Sequence, residues 1–324
     1  MKAVLCKSFG GPDTLVLEEV PEPRPGRNEA LVRVKATGLN FFDTLIIENK
    51  YQLKPPLPFS PGAEFCGVVE ALGPETAGIR VGERVIGSLG YGACRELVVA
   101  PAKRLARVPD GVSDDQAAGL TITYGTSLHA LKDRAQLKPG ETLAVLGAAG
   151  GVGLAAVEIG KLMGARVIAC ASSDEKLAVA REQGAELTLN YARESLREGL
   201  RRLTDGRGVD VLYDPVGGEL ADPALRSMAW KGRYLVIGFA GGEIPKLPLN
   251  LVLLKGCDVV GVFWGSFVDR EPEAHAENMA WLLGHVAAGR LSARVHAIYP
   301  LAETPAALGV LARREATGKV LVRP

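Results

Sequence analysis

The stretch from Thr142 to Met163 constrains this chain more than any other part of it. Thr142–Gly147 is a short apolar run of the kind that forms a buried strand, and Leu154–Met163 has helical character. Between them lies Ala148-Ala149-Gly150-Gly151-Val152-Gly153. Against the GxGxxG template the glycines fall at Gly150 and Gly153, with Ala148 at the first position, and Gly147 and Gly151 add freedom. A side chain at Gly150 would hold a pyrophosphate away from the backbone, and Gly153 lets the helix lie close on the strand. The helix start then offers free N–H groups and a partial positive charge to phosphates. A second strand ending at Ala171 follows, so the segment predicts a dinucleotide-binding unit, with Gly150, Gly151, Val152 and Gly153 at the phosphates.

Sites that prefer NAD place an acidic residue about 20 residues beyond such a turn, on the ribose hydroxyls. Here the strand ends Ala169-Cys170-Ala171-Ser172-Ser173, with no carboxylate at its tip. The hydroxyls of Ser172 and Ser173 leave room for a 2′-phosphate, and Lys176 one turn later adds positive charge. Both features point to NADPH. Ser173 also suits a helix N-cap, and Lys176 a solvated surface position. Asp174, if turned inward, would repel a 2′-phosphate.

Around this unit the chain divides into three. Residues 1–122 carry short apolar runs punctuated by turn signals such as Gly10-Gly11-Pro12-Asp13, and Val32 and Val34 alternate with Arg33 and Lys35. This pattern predicts an irregular, mostly β unit. Residues 123–260 alternate strand-like and helical stretches, with strands at Thr142–Gly147, Arg166–Ala171, Glu186–Leu189, Asp210–Tyr213, Tyr234–Phe239 and Asp258–Val262. The fold class is therefore α/β, a doubly wound parallel sheet covered on both faces. Residues 261–324 carry two helical stretches and two short strands, too little for a separate domain.

Composition narrows the partners. The net charge of +1 gives no global field toward nucleic acid or an anionic membrane. The arginines of 193–207 are interspersed with acids and read as a solvated helix face. Five scattered cysteines make no CxxC pair, which argues for reduced thiols and a cytoplasmic enzyme. The start has only a three-residue apolar run between lysines, unlike a signal peptide, and no apolar stretch reaches the length of a membrane span.

Several motifs together carry a resemblance over essentially the whole chain. They are Gly38–Asp43, Lys54–Gly62, Thr123–Thr126, Leu146–Gly153, Asp214–Gly218 and Thr317–Val320. With these the chain resembles the zinc-free quinone oxidoreductases of the medium-chain dehydrogenase/reductase superfamily. The resemblance implies a GroES-like catalytic domain, built from the first and third segments and interrupted by the Rossmann domain. It also implies a homodimer joined through the last Rossmann strand, near Asp258–Val262. By motif position, Asn40 and Thr126 would sit near the nicotinamide. Lys176 and Tyr191 would contact the 2′-phosphate, with Ser172 nearby. Phe239 and Phe263 would line the nicotinamide side, and Lys319 would lie close to the cofactor phosphates. As plain structure, Phe239 and Phe263 could be core residues at strand ends, Tyr191 a packed strand-end residue and Asn40 a turn residue.

Zinc-dependent members of the superfamily share a Gly-His-Glu motif and an upstream cysteine. This chain has Ala63 where the histidine would stand, followed by Glu64, and Asn40 where the cysteine would stand. No metal is expected, because a catalytic zinc needs about three protein ligands. Without a Lewis acid the hydride acceptor must itself be electron-poor, such as a quinone or an activated carbonyl. Asn40 is a candidate to meet the developing negative charge. Tyr51 is a candidate proton donor, or a packed loop residue. Reduction of an enone or enoyl double bond on the same scaffold, and a non-catalytic NADPH-binding role of the ζ-crystallin kind, are the alternatives.

Overall fold

The computed structural model describes every residue from Met1 to Pro324. The chain forms two compact units, Met1–Ile122 with Met279–Pro324, and Thr123–Asn278. The strands of the first unit are β1 (Lys2–Cys6), β2 (Leu15–Glu19), β3 (Glu29–Leu39), β4 (Glu64–Leu72), β5 (Arg84–Ser88), β6 (Leu97–Pro101) and β7 (Leu105–Arg107). The second unit follows with β8 (Thr142–Leu146), β9 (Arg166–Ala171), β10 (Leu187–Asn190), β11 (Val209–Asp214), β12 (Met228–Val236) and β13 (Asp258–Gly261). The chain then returns to the first unit with β14 (Val295–Pro300) and β15 (Lys319–Arg323).

The first unit is a GroES-like, mostly antiparallel assembly. Its large sheet has the order β14-β15-β3-β4-β5-β7, with β6 also on β3, and β1 pairs with β2 as a separate ribbon. The alternation read at Val32 and Val34 is present: both are buried while Arg33 and Lys35 are exposed. From Ala36 to Asn40 every residue is buried. There β3 is flanked by β4 on one side and by β15 on the other, with Val320 opposite Leu39. The last residues of the chain therefore complete a sheet begun near its start. β2 escapes sequence reading because Val16 and Leu17 face solvent and break the alternation.

The second unit is a Rossmann domain. Its six strands are all parallel in the order β10-β9-β8-β11-β12-β13. Chain direction across the sheet reverses between β8 and β11, and the C-terminal ends of these two strands form the crevice where such sheets bind ligands. β8 is buried at all five positions, as expected for a central strand covered on both faces. Leu146, Ile168, Leu189, Leu212 and Tyr234 from five strands share one apolar cluster. The arginine-rich segment is the helix Leu196–Leu203, with Leu196 and Leu200 buried and Arg197, Arg201 and Arg202 exposed.

Most strand boundaries shift by a residue or so from the sequence reading, and two differences are larger. The strand expected over Tyr234–Phe239 spans Met228–Val236, and past its end the amides of Ile237 and Gly238 share the carbonyl of Asp214 at 3.0 and 3.3 Å. The return to the first unit comes at Met279 rather than 261. Residues 261–278 stay with the second unit because Phe267 stacks on His129, ring centroids 3.8 Å apart, and Asn278 bonds Lys132 and Asp133.

Gly153 is fixed by packing rather than by its dihedrals. A Cβ there would lie 2.2 Å from the carbonyl oxygen of Gly147 and 2.9 Å from the Cα of Ala148, both backbone atoms that cannot swing away. Gly153→Ala is therefore expected to destabilise the protein by about 1–3 kcal/mol through overpacking. Urea unfolding of the two proteins side by side measures it, and equal midpoints would refute the close approach.

Candidate functional site

The glycine-rich turn leaves β8 at Gly147, which has φ +57°. A Cβ at Gly147 would sit 3.1 Å from Cγ2 of Val216, so the turn lies against the loop that follows β11. Gly150 caps the helix Gly151–Leu162 in an extended conformation. A Cβ on Gly150 would meet nothing nearer than the Gly147 carbonyl oxygen at 3.5 Å, so its missing side chain leaves open space above the turn. The first-turn amides of Gly151, Val152 and Gly153 have no intrahelical acceptor. Together these make a cradle for an anion.

Two buried tyrosines hold the cradle. The Ser127 hydroxyl donates to the carbonyl of Val152 at 3.0 Å and lies 2.8 Å from the hydroxyl of Tyr213. This ties the helix Thr123–Leu128, which carries the nearly buried Thr126, to the start of the glycine helix. On the β11 side, Asp214 Oδ1 accepts from the amides of Val216 and Gly217 at 2.8 and 2.9 Å, and Oδ2 accepts from the Tyr234 hydroxyl. Burial pushes the Asp214 carboxyl up, and burial together with that carboxylate pushes the Tyr234 phenol up.

At the tip of β9, Ser172 is exposed and Ser173 caps the helix Asp174–Glu182, accepting from the amide of Lys176 at 3.3 Å. Lys176 is half-buried in the first turn. Tyr191 follows the end of β10, and its amide donates to the Ala171 carbonyl at 3.1 Å. Adjacent strand ends thus bring Ser172, Ser173, Lys176 and Tyr191 to one place. Asp174 is tied down: Asn190 Nδ2 donates to its Oδ1 at 2.7 Å and the Arg193 guanidinium pairs with its Oδ2. Arg193 is a member of this group that the sequence did not single out. Its signal is its position, three residues past the end of the neighbouring strand.

The first unit has its own polar centre. Asn40 caps the helix Phe41–Ile47, its amide donating to Asp43 Oδ2 at 2.7 Å. The other Asp43 oxygen accepts from the amide of Gly62 at 3.2 Å. Loss of hydration pushes the Asp43 carboxyl up to about 7, against these bonds and the attraction of Lys319. Asn40 Nδ2 donates to Glu64 Oε1 at 3.0 Å, and Glu64 Oε2 accepts from the amide of Ile122 at 2.8 Å. Lys319 Nζ donates at 2.8 Å to Glu64 Oε1, to Asn40 Oδ1 and to the Leu39 carbonyl. Glu64 is 0% exposed and Lys319 3%.

Lys319, expected close to the cofactor phosphates, has three ammonium hydrogen bonds inside the first unit. The core reading of Phe239 and Phe263 is corrected: they are 38% and 61% exposed, because both lie past the ends of their strands. Phe239 lies against Gly217, where a Cβ would be 2.9 Å from its ring. Tyr51 is half-buried and stacks on Phe42, centroids 5.3 Å apart. Burial, then the Asp43 charge, push its phenol up. The sequence reading missed Asp43, whose signal is its place three residues after a capping asparagine. The ion pair of Glu64 and Lys319 was not, because its partners are 255 residues apart.

A parallel sheet with an anion cradle at its switch point, joined to a GroES-like unit with a buried polar centre, defines a nucleotide-dependent oxidoreductase scaffold. Residues 26–110 match the alcohol dehydrogenase GroES-like domain, and residues 151–281 match the family described as zinc-binding dehydrogenase. The chain is 39% identical over 323 residues to quinone oxidoreductase-like protein 2 of Rattus norvegicus, spanning 99% of this chain and 91% of that one. It is 34% identical over 325 residues to a quinone oxidoreductase of Pseudomonas aeruginosa, spanning 100% and 99% of the two chains. The structure of Escherichia coli quinone oxidoreductase complexed with NADPH superposes with a TM-score of 0.93 at 29% identity, covering all of both chains. The chain belongs to the quinone oxidoreductases of the medium-chain dehydrogenase/reductase superfamily.

The buried ion pair makes a stability prediction. Lys319→Met leaves the Glu64 carboxylate buried without its cation and is expected to cost about 3–5 kcal/mol. Adding Glu64→Gln, which keeps an acceptor for Ile122 and removes the charge, is expected to restore most of that loss. Denaturant unfolding of the single and double variants checks it; a double variant no more stable than Lys319→Met would count against the pairing.

Proposed function

We propose that this chain is an NADPH-dependent reductase that passes hydride to a quinone or a similarly electron-poor carbonyl without zinc. The observation that carries this reading is the strand tip beside the glycine cradle. Two first-turn carboxylates flank it: Asp174 is paired with Arg193, and Glu175 bonds Ser173, while Lys176 and Arg193 bring two positive charges to the place where a 2′-phosphate would sit. NADPH, when bound, supplies the hydride. Gly150, Gly151, Val152 and Gly153 are assigned to its pyrophosphate, and Ser172, Ser173, Lys176, Tyr191 and Arg193 to its 2′-phosphate. Thr126, Phe239 and Phe263 are assigned to the nicotinamide. The NADPH-bound E. coli relative supports the choice of cofactor.

The zinc named in the family description does not fit the residues present. Ala63 is buried and has no donor atom. The Asn40 amide is committed to Glu64 and Lys319, and the Glu64 carboxylate already has the Lys319 ammonium as its cation. One carboxylate, already paired, falls short of the three protein ligands a catalytic zinc needs. The acceptor must then draw electrons unaided, and the protein binds, orients and shields it from water. Asn40 and Tyr51 are the polar side chains assigned to it from the first unit, with Tyr51 held protonated by its surroundings. Five free, buried thiols fit a cytoplasmic setting. No helix is long and apolar enough to cross a membrane.

A homodimer through β13 is part of the same proposal. β13 is the edge of the six-stranded sheet, and its outer side has no partner strand. Leu249 and Leu253 on the neighbouring helix are 74% and 79% exposed, a large apolar surface for an edge that natural proteins normally protect.

Two experiments test the reading. NADPH is expected to bind at least about tenfold more tightly than NADH, with Lys176→Ala closing much of the gap; equal affinities, unmoved by the variant, would refute the cofactor assignment. With a panel of acceptors, quinone-dependent NADPH oxidation yielding hydroquinone, by a zinc-free preparation that keeps its turnover after chelation, is the expected result. Turnover with enones alone, yielding saturated ketones, would transfer the protein to the double-bond reductases. In sedimentation the protein is expected to run as a dimer and Leu253→Glu as a folded monomer; a monomeric wild type would dispose of the β13 interface.

A further inference from the structure

At the opposite end of the Rossmann sheet from the glycine cradle, the structure holds a cavity of about 340 Å³ at the starts of β11 and β12. Arg197, Arg201, Arg207, Arg226 and Lys255 line it together with Trp230, and no carboxylate does. Arg226 is held by Asp222 at 2.7 Å and Arg201 lies 4.0 Å from Glu198. The guanidinium groups of Arg197 and Arg207 have no carboxylate partner, although the segment is rich in acids. Like charges gathered in a concavity repel one another, and a multiply charged anion relieves that repulsion.

The cavity is built on rigid backbone. Asp205, Gly206 and Gly208 all have positive φ, which makes the tight turn that carries Arg207. A Cβ on Gly208 would lie 2.7 Å from the amide nitrogen of Ala229, so this turn is pressed onto the start of β12. The Gly208 amide also donates to Thr204 Oγ1 at 3.1 Å. On the other wall, Lys255 Nζ donates to the Met228 carbonyl at 2.9 Å. Gly256, with φ +54°, ends the helix Leu249–Lys255, and the Trp230 ring lies over it, 3.1 Å from where a Cβ would be. The indole is thus held as a platform while remaining 68% exposed.

We infer that this cavity is a second anion site that takes a nucleoside diphosphate, with its phosphates on the arginines and its base on Trp230. Guanidinium forks match phosphate oxygens, and an exposed indole offers a stacking face that any base can use. A concavity with one aromatic platform fits a single nucleotide better than a strand of nucleic acid, which needs a groove tracking its backbone. The site is independent of the proposed cofactor cradle: β11 separates them, running from Val209 at the cavity to Asp214 at the turn, about 17 Å.

The test uses ADP and the full chain saturated with NADPH, read by calorimetry. One ADP per chain is expected to bind in the presence of NADPH, more weakly as salt rises. Arg207→Ala is expected to weaken ADP by about tenfold or more while leaving NADPH-dependent turnover unchanged. Trp230→Ala is expected to erase the advantage of ADP over inorganic pyrophosphate. Absence of ADP binding at millimolar concentration overturns the inference. So does ADP that NADPH displaces and that responds to Lys176→Ala but not to Arg207→Ala, since it then occupies the cofactor cradle. ADP no tighter than pyrophosphate overturns the nucleoside part, and a short single-stranded RNA that displaces ADP at far lower concentration overturns the small-ligand reading.

Discussion

The second unit depends on one contact between two stretches of backbone. The helix that begins at Gly151 can lie on β8 only because Gly153 has no Cβ to strike the Gly147 carbonyl. That approach sets where the helix starts, and with it where the free amides of its first turn point. Ser127 and Tyr213 then hold the Val152 carbonyl from one side, and the loop fixed by Asp214 and Tyr234 abuts the turn from the other. The anion cradle is a consequence of packing that would be needed even if no anion ever bound.

The first unit solves a different problem, that of a buried carboxylate. Glu64 is completely shielded from water, and an isolated charge there would be very costly. Lys319 compensates it directly, while Asn40 and the Ile122 amide occupy further oxygen lone pairs. Asp43, one helix turn from Asn40, has two backbone donors but no direct cation, and its carboxyl is held up near neutrality. The positive charge that meets Glu64 comes from a side chain on β15.

What the sequence disclosed follows from the range of the interactions involved. The strands β8 and β9 were legible nearly to the residue, because a fully apolar run bounded by glycine or serine has few other conformations. The N-cap at Ser173 was legible because capping is local, whereas Asn40, read as a turn residue, also caps a helix. The bounds of β12 were not, since they are set by its pairing with β11 and β13, which is made in three dimensions. The motif around Lys319 was visible, but the buried ion pair it makes was not. Its lysine serves a carboxylate 255 residues away, and only the folded sheet brings the two together. Arg193 was hidden for a similar reason: its partner Asp174 is on the helix after the neighbouring strand.

The pairing of β15 with β3 also has a kinetic meaning. Lys319 and Asn40 are 279 residues apart, so the large sheet of the first unit cannot close until β15 has been made. On a ribosome adding about 5–20 residues per second, the edge of β3 that awaits β15 is left open for roughly 15–60 seconds. The second unit, made from the uninterrupted stretch Thr123–Asn278, has all its strands in hand well before then. The half of the molecule synthesised first is therefore completed last, and its unpaired strand edge is the part of the nascent chain most in need of protection by a chaperone.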